Sequence, residues 1–499
     1  MAYHYIGGDR DQQFLLPVSM RDWLDQGHLA WWVIDVVEAI DTAGLHVAHP
    51  NDGPGRPAYD PDMMLTLLLY AYMTGQRSSR RIEAACRTDA AYRVICGDVV
   101  PDHATIARFV IDHEHVMADI FVQVLRLCAA AGLVTVGTVA IDGTKIGSDA
   151  ALDRTHSADW IRRQVEVILA EARETDTAED GQPGLLAAHE VPAQLSSVSG
   201  RLARLEQALA VIEAADAAAA AEIEQVMARA RTEAAEGRKL PGRKPKHPRA
   251  ALARAQADET AVRVKATARA SAQHTSEADV ADAVEDDPAV QAAVATTDKA
   301  RTAAQAATPT VRANVTDPQS RIMKTATGWV QGYNAQAAVN EHQIIVACHV
   351  SQDHGDVGLF QPMVDATRDT LTAAGVTDPI GTVLADAGYW SEDNATADGP
   401  DRLIATTKDW KQRQAARQLG TTEGDPPDDA TPIEAMEHRL RTAEGAAAYA
   451  ARSHTVEPVF AAKANHDYRR FRRRGLEAAR SEWALMATVH NLGKLHRTS

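Results

Sequence analysis

Apolar residues in this chain follow three successive patterns, and each predicts a different kind of element. From residue 14 to about residue 130 they recur at helical spacing. Ser19 is placed to cap an entry helix running through Trp31-Trp32-Val-Ile-Asp-Val-Val-Glu-Ala-Ile40. Asp60-Pro61 supplies a cap followed by proline at the first helical position, so Met63 to Tyr72 reads as an apolar helix. Further helices are expected over Ser79 to Val94 and from about Thr105 to Leu127, with tight turns around Gly75 and Gly97. Short helices joined in this way fit either a helix-turn-helix reader of DNA or an all-helical packing domain.

The second pattern opens at Thr138-Val-Ala-Ile-Asp142-Gly-Thr-Lys145, where small and β-branched residues lead to one carboxylate and then a glycine. This predicts a short buried strand ending in an acid at a turn. Strand signals return at Trp329 to Val339 and Gln343 to Val350, with Glu341-His342 as the turn of an antiparallel pair. An amphipathic helix over Val357 to Ala374 precedes Thr382-Val-Leu-Ala-Asp386-Ala-Gly388, a second apolar run delivering an acid before a glycine. Arg402 to Thr407 is a further short strand, and Pro432 to Leu495 reads mostly as helix.

The third pattern lies between these strands. From about Arg154 to Thr310 the chain is rich in Ala, Glu, Gln and Arg and almost free of aromatic residues after Trp160. A long helix or helical hairpin is expected over Arg201 to Glu236. The basic, proline-interrupted stretch from Gly237 to Arg249 reads as a loop between two helices. The element order predicts a mixed α/β sheet interrupted after its first strand by a long helical insertion, with an all-α segment before it. The expected divisions are residues 1–132, helical; 133–152, the first part of the α/β core; 153–312, the insertion; and 313–499, the rest of the core.

Composition narrows the picture. The 499 residues are 45% apolar and 24% charged, as in globular proteins, and no window is apolar for long enough to span a membrane. Met1-Ala-Tyr-His-Tyr-Ile lacks the basic and apolar regions of a secretory signal, and Cys86, Cys96, Cys128 and Cys348 form no Cys-x-x-Cys pair. A cytoplasmic protein with reduced thiols is expected. The formal charge of −16 argues against indiscriminate coating of nucleic acid, but the basic residues are clustered. One cluster holds Arg238, Lys239, Arg243, Lys244, Lys246 and Arg249; another holds Arg469, Arg470, Arg472, Arg473 and Arg474. Both are candidate phosphate contacts.

Asp142 and Asp386 are the candidate metal-binding acids, with Glu457 of Val456-Glu-Pro-Val-Phe460 as a third. Three neighbouring carboxylates repel one another unless cations neutralise them. Two Mg²⁺ ions about 3.5–4 Å apart, for which Mn²⁺ can substitute, would do so and would clamp an in-line phosphoryl displacement. His342, His349 and His354 lack the spacing of a closed zinc site, and no Walker-type phosphate loop is present.

Several stretches carry a family likeness. They are Phe14-Leu-Leu-Pro17, Gly55-Arg-Pro-Ala-Tyr59, Ser78-Ser-Arg-Arg-Ile-Glu83, Pro101-Asp-His-Ala-Thr-Ile-Ala-Arg-Phe109, Ile141-Asp-Gly-Thr144, Asp317-Pro-Gln-Ser-Arg321, Gly332-Tyr-Asn-Ala-Gln-Ala-Ala-Val339, Ala385-Asp-Ala-Gly-Tyr389 and Val456-Glu-Pro-Val-Phe460. With these the chain resembles the DDE-type transposases of bacterial insertion sequences, whose catalytic core is ribonuclease-H-like. The resemblance implies an acidic triad at Asp142, Asp386 and Glu457 and a Tyr, Arg, Glu, Lys signature at Tyr449, Arg452, Glu457 and Lys463. Lys463 stands six positions beyond Glu457, where the family usually has seven.

By the same resemblance the protein would bind terminal inverted repeats, cut DNA strands by metal-dependent hydrolysis and join the freed 3′-ends to target DNA.

 
In that reading Arg452 and Lys463 would hold transposon-end phosphates, and Arg469, Arg470 and Arg473 would extend the contact. Two ends held together imply at least a homodimer on DNA, working in the cytoplasm at the nucleoid. The alternative expectation is a catalytically inactive, transposase-derived DNA-binding protein.

Overall fold

The computed structural model describes residues 19–47, 58–179, 198–236, 248–272, 276–306, 311–325, 327–407, 420–465 and 468–498. Its contacts divide the chain into two compact units, Met1–Leu152 with Ser320–Ser499, and Asp153–Gln319.

The first unit opens with helices α1 (Leu29–Ala39), α2 (Ala43–His46), α3 (Pro61–Met73), α4 (Ser79–Thr88), α5 (Ala90–Ile95), α6 (His103–Asp112) and α7 (Met117–Ala130). Their starts follow the expected capping chemistry. Asp60 accepts from the Asp62 amide at 2.9 Å ahead of Pro61, and Asp102 accepts from Ala104 and Thr105, each at 2.9 Å. The single helix expected over Ser79 to Val94 is two, because Asp89 caps α5 through the Ala91 amide at 2.8 Å. Likewise, the helix expected from Thr105 to Leu127 breaks at a 3₁₀ turn, Glu114–Val116. Ser19 caps only a 3₁₀ turn, Met20–Asp22, and α1 starts later, at Leu29.

The same unit holds a six-stranded mixed sheet. Its strands are β1 (Thr138–Gly147), β4 (Arg321–Thr325), β5 (Gly328–Asn340), β6 (Ile345–Ser351), β7 (Thr382–Ala385) and β8 (Asp401–Ile404), while β2 (Thr155–Ser157) and β3 (Arg312–Asn314) pair with each other in the second unit. The order is β4-β5-β1-β7-β8, with β6 also paired to β5. β1 runs antiparallel to β5 and parallel to β7, and β7 runs parallel to β8. The β5–β6 hairpin forms as expected, with Gln343 in the left-handed region at φ 61° in its turn. β4 was not expected: it is a short edge strand with polar and exposed positions, so its sequence lacks an apolar run.

The second unit contains α8 (Ala158–Glu179), α9 (Val198–Glu236), α10 (Pro248–Ser271), α11 (Glu277–Glu285) and α12 (Pro288–Ala306). The long helix expected over Arg201 to Glu236 is α9. After the sheet's hairpin, the first unit continues with α13 (Phe360–Ala373), α14 (Glu392–Thr396), α15 (Pro432–Arg441), α16 (Ala443–Asn465) and α17 (Leu476–Leu495). One hydrophobic core joins the helices before β1 to the sheet and to α17, from Ala30 and Leu65 through Val124 and Ile141 to Trp483 and Leu492.

Candidate active site

The parallel register sets the geometry of the site. Ile141 of β1 pairs with Ala385 of β7, and the next residues on the two strands are Asp142 and Asp386. Two acids far apart in sequence therefore stand side by side. The expectation that Asp142 ends its strand at a turn is overturned, because β1 continues through Gly143 to Gly147 along β5. Gly143 serves a different purpose. A Cβ there would lie 2.1 Å from Nε2 of Gln336, its cross-strand partner, so the missing side chain makes room for a buried amide.

Each acid is oriented by a backbone amide. Asp142 Oδ1 accepts from the Gly143 N–H at 2.8 Å, and Asp386 Oδ1 accepts from the Gly388 N–H at 2.6 Å. Arg452 of α16 reaches Asp142 Oδ2 at 2.7 Å, with side chains 12% and 23% exposed respectively. Burial pushes the Asp142 carboxyl above the usual carboxylate range. Arg452 and the Gly143 amide pull it down, and the charges of Asp386 and Asp356 push it up further.

Asp356, Lys145, Asn334, Gln336 and Tyr389 were missed as site residues. Lys145 Nζ and Asn334 Nδ2 donate to Asp356 Oδ1 at 3.0 and 2.8 Å. A signal for part of this group was present: Asn334 and Gln336 stand two apart within the strand Gly328–Asn340, which places two amides on one buried face. Asp356 lies in a loop and gave no such signal.

Glu457 is placed differently. α16 packs on β1, β5 and β7, with Val456 and Val459 fully buried, but Glu457 is exposed. It follows Arg452 by five residues, about 140° round the helix. Among the described residues no group of three or more His, Cys, Asp or Glu is close enough to hold a metal ion. The structure thus brings Asp142 and Asp386 together and leaves Glu457 outside their cluster. Pro458, next to Glu457, lies inside α16 and has no N–H for the His454 carbonyl; Gln343 Nε2 supplies that carbonyl with a donor at 2.8 Å.

The basic candidates have diverse surroundings. Arg469 is exposed. Arg470 donates to the Ser148 carbonyl at 2.8 Å and pairs with Asp149 at 3.2 Å, and Arg473 pairs with Glu114. Lys463 belongs to α16, but its side chain, like all of Lys244 and Lys246, lies outside the described residues. No described helix is long and apolar enough to cross a membrane.

Two family models match the chain. A transposase domain (DUF772) matches residues 18–111, and a transposase DDE domain matches residues 405–496. The second match includes Glu457 and Arg452, whereas Asp142 and Asp386 lie outside both. No curated protein and no solved structure matches the chain. The DDE domain implies nuclease or transposition activity, and the two matches together support a DDE-type insertion-sequence transposase.

Proposed function

We propose that this transposase binds the terminal inverted repeats of its element, cleaves DNA strands by hydrolysis and joins the freed 3′-hydroxyls to target DNA. The observation that carries this reading is the β1–β7 register, which sets Asp142 beside Asp386 in a chain bearing both transposase domains. The strand order supports a ribonuclease-H-like core formed by residues 133–152 and 313–499. In this reading residues 1–132 contribute to DNA binding and 153–312 form an insertion.

The donor set fits a hard divalent cation, since Asp142 and Asp386 are neighbouring carboxylates and the charge of Asp356 also reaches Asp142. Asp142 and Asp386 would hold it; Glu457, which stands outside their cluster in this structure, would be the third acid only if α16 brought it to them on DNA. When bound, Mg²⁺ supplies activation of the attacking oxygen and neutralises charge at the phosphate. The protein's own part is orientation. Arg452 offsets the charge of Asp142, and the part of its guanidinium that remains exposed would contact a DNA phosphate. Arg469 would add an exposed phosphate contact. Holding two element ends together calls for at least a dimer on DNA.

The test compares Asp142→Ala, Asp386→Ala and Glu457→Gln with the wild type on a terminal repeat from DNA flanking the coding sequence. Mg²⁺-dependent cleavage should fall by at least about 10³-fold in each, with repeat binding largely intact. Full cleavage by Asp386→Ala would remove this reading. A wild type that binds the repeat but never cuts it would favour a catalytically inactive, transposase-derived DNA-binding protein.

A further inference from the structure

We infer that Gln336 and Tyr389 act together as positioning residues for Asp386, tying its turn to the interior of the sheet; the inference rests on the catalytic reading above. Tyr389 is fully buried and its hydroxyl donates to Gln336 Oε1. Gln336 is also fully buried, and its Nε2 donates to Asn334 Oδ1 at 2.9 Å and to Asp356 Oδ1 at 3.2 Å. Both ends of the amide are engaged. Its orientation is thereby set.

The connection from this amide to Asp386 is short. The Tyr389 N–H donates to the Asp386 carbonyl at 3.1 Å, and the Gly388 N–H holds the Asp386 carboxylate at 2.6 Å. The far side of the turn is held as well, because Asn394 Nδ2 donates to the Tyr389 carbonyl at 2.7 Å. A ring fixed at its hydroxyl and its backbone leaves the intervening turn little freedom. The glycine at 143 completes the device, since any side chain there would strike the Gln336 amide. Asn334 and Lys145 brace it from the opposite end through Asp356. Two of the recognised sequence stretches, one holding Asn334 and Gln336 and the other holding Asp386 and Tyr389, thus meet in one hydrogen-bonded unit.

The experiment uses the full-length chain with Tyr389→Phe, Gln336→Leu and the double substitution. Mn²⁺ affinity is measured by titration without DNA, and cleavage of the terminal repeat is resolved into kcat and KM. Each single substitution should weaken Mn²⁺ binding and lower kcat by about 10- to 100-fold, with KM for the DNA end unchanged. The double variant should be no worse than the poorer single one, because the two residues act as a unit. Wild-type Mn²⁺ affinity and kcat in Tyr389→Phe, or losses that multiply in the double variant, would overturn the inference. If Gln336→Leu fails to fold, Tyr389→Phe decides alone, since it removes a single oxygen. Loss of cleavage in Asp386→Ala beside an unaffected Tyr389→Phe would sink the positioning role and leave the catalytic reading standing. A wild type that neither binds Mn²⁺ nor cuts the repeat would remove both.

Discussion

The two units are built from different material. The sheet-containing unit buries large side chains completely, among them Trp483, Tyr333, Tyr389, Phe360 and Phe471. The helical unit relies on two small groups, one of Ile161, Ile168, Leu205, Ala208, Ile212 and Ala313, the other of Ala266, Ala270, Val284 and Val290. Alanine favours the helix but contributes little apolar area, so burial per residue is smaller there. The difference teaches where rigidity resides. The proposed metal-binding acids stand on a strand of the large core, Asp142, and immediately after one, Asp386, while the alanine-rich helices provide length with few large buried side chains.

The largest effect is expected in the first unit. Arg77 and Glu482 form a buried ion pair, 1% and 4% exposed, and Arg77 also lies over the Tyr468 ring at 4.1 Å. Arg77→Met leaves a buried carboxylate without its cation and should cost about 3–5 kcal/mol, measured by denaturant unfolding. A loss below about 1 kcal/mol would mean that this core tolerates an uncompensated charge. Next comes the helical unit, where Ile212→Ala should cost about 2 kcal/mol, at the low end for a buried aliphatic truncation. Calorimetry should show one transition moving while the other stays; a single shared transition would erase the energetic contrast between the units.

The smallest effect concerns Glu83, which accepts from Arg87 at 2.7 Å, from the His103 amide at 2.9 Å and from the His103 ring at 2.7 Å. Hydrogen bonds from Arg87 and then His103 lower its carboxyl to about 2. A depressed folded-state pKa stabilises the protein above the unfolded value and loses that contribution as pH falls toward about 2. Glu83→Gln should therefore be less stable than the wild type at neutral pH, and the gap should narrow as pH drops from 4.5 toward 2. A gap independent of pH would show that the carboxylate's charge is not responsible.

Local chemistry was the legible part of this chain. Asp60-Pro61 and Asp102 announce helix starts because the cap and the amides it serves are within three residues. The run leading to Asp142 announces a strand because its β-branched residues are contiguous. Gly143 misled for a physical reason: a glycine between polar neighbours reads as a turn, and only Gln336, almost two hundred residues away, reveals that it provides space. β2 and β3 escaped notice because three-residue strands carry no periodicity. The position of Glu457 was beyond sequence reasoning, since a motif names a residue and a helix determines where it points.

The proline beside that glutamate has a mechanical consequence. Because the His454 carbonyl is served by a side chain from the hairpin turn, the rungs between 454 and 458 do not lock the helix against bending. Arg452 lies ahead of this joint and Glu457 within it. The glutamate and the guanidinium that grips Asp142 are thus separated along the helix by a point where the backbone ladder gives way to a side-chain hydrogen bond.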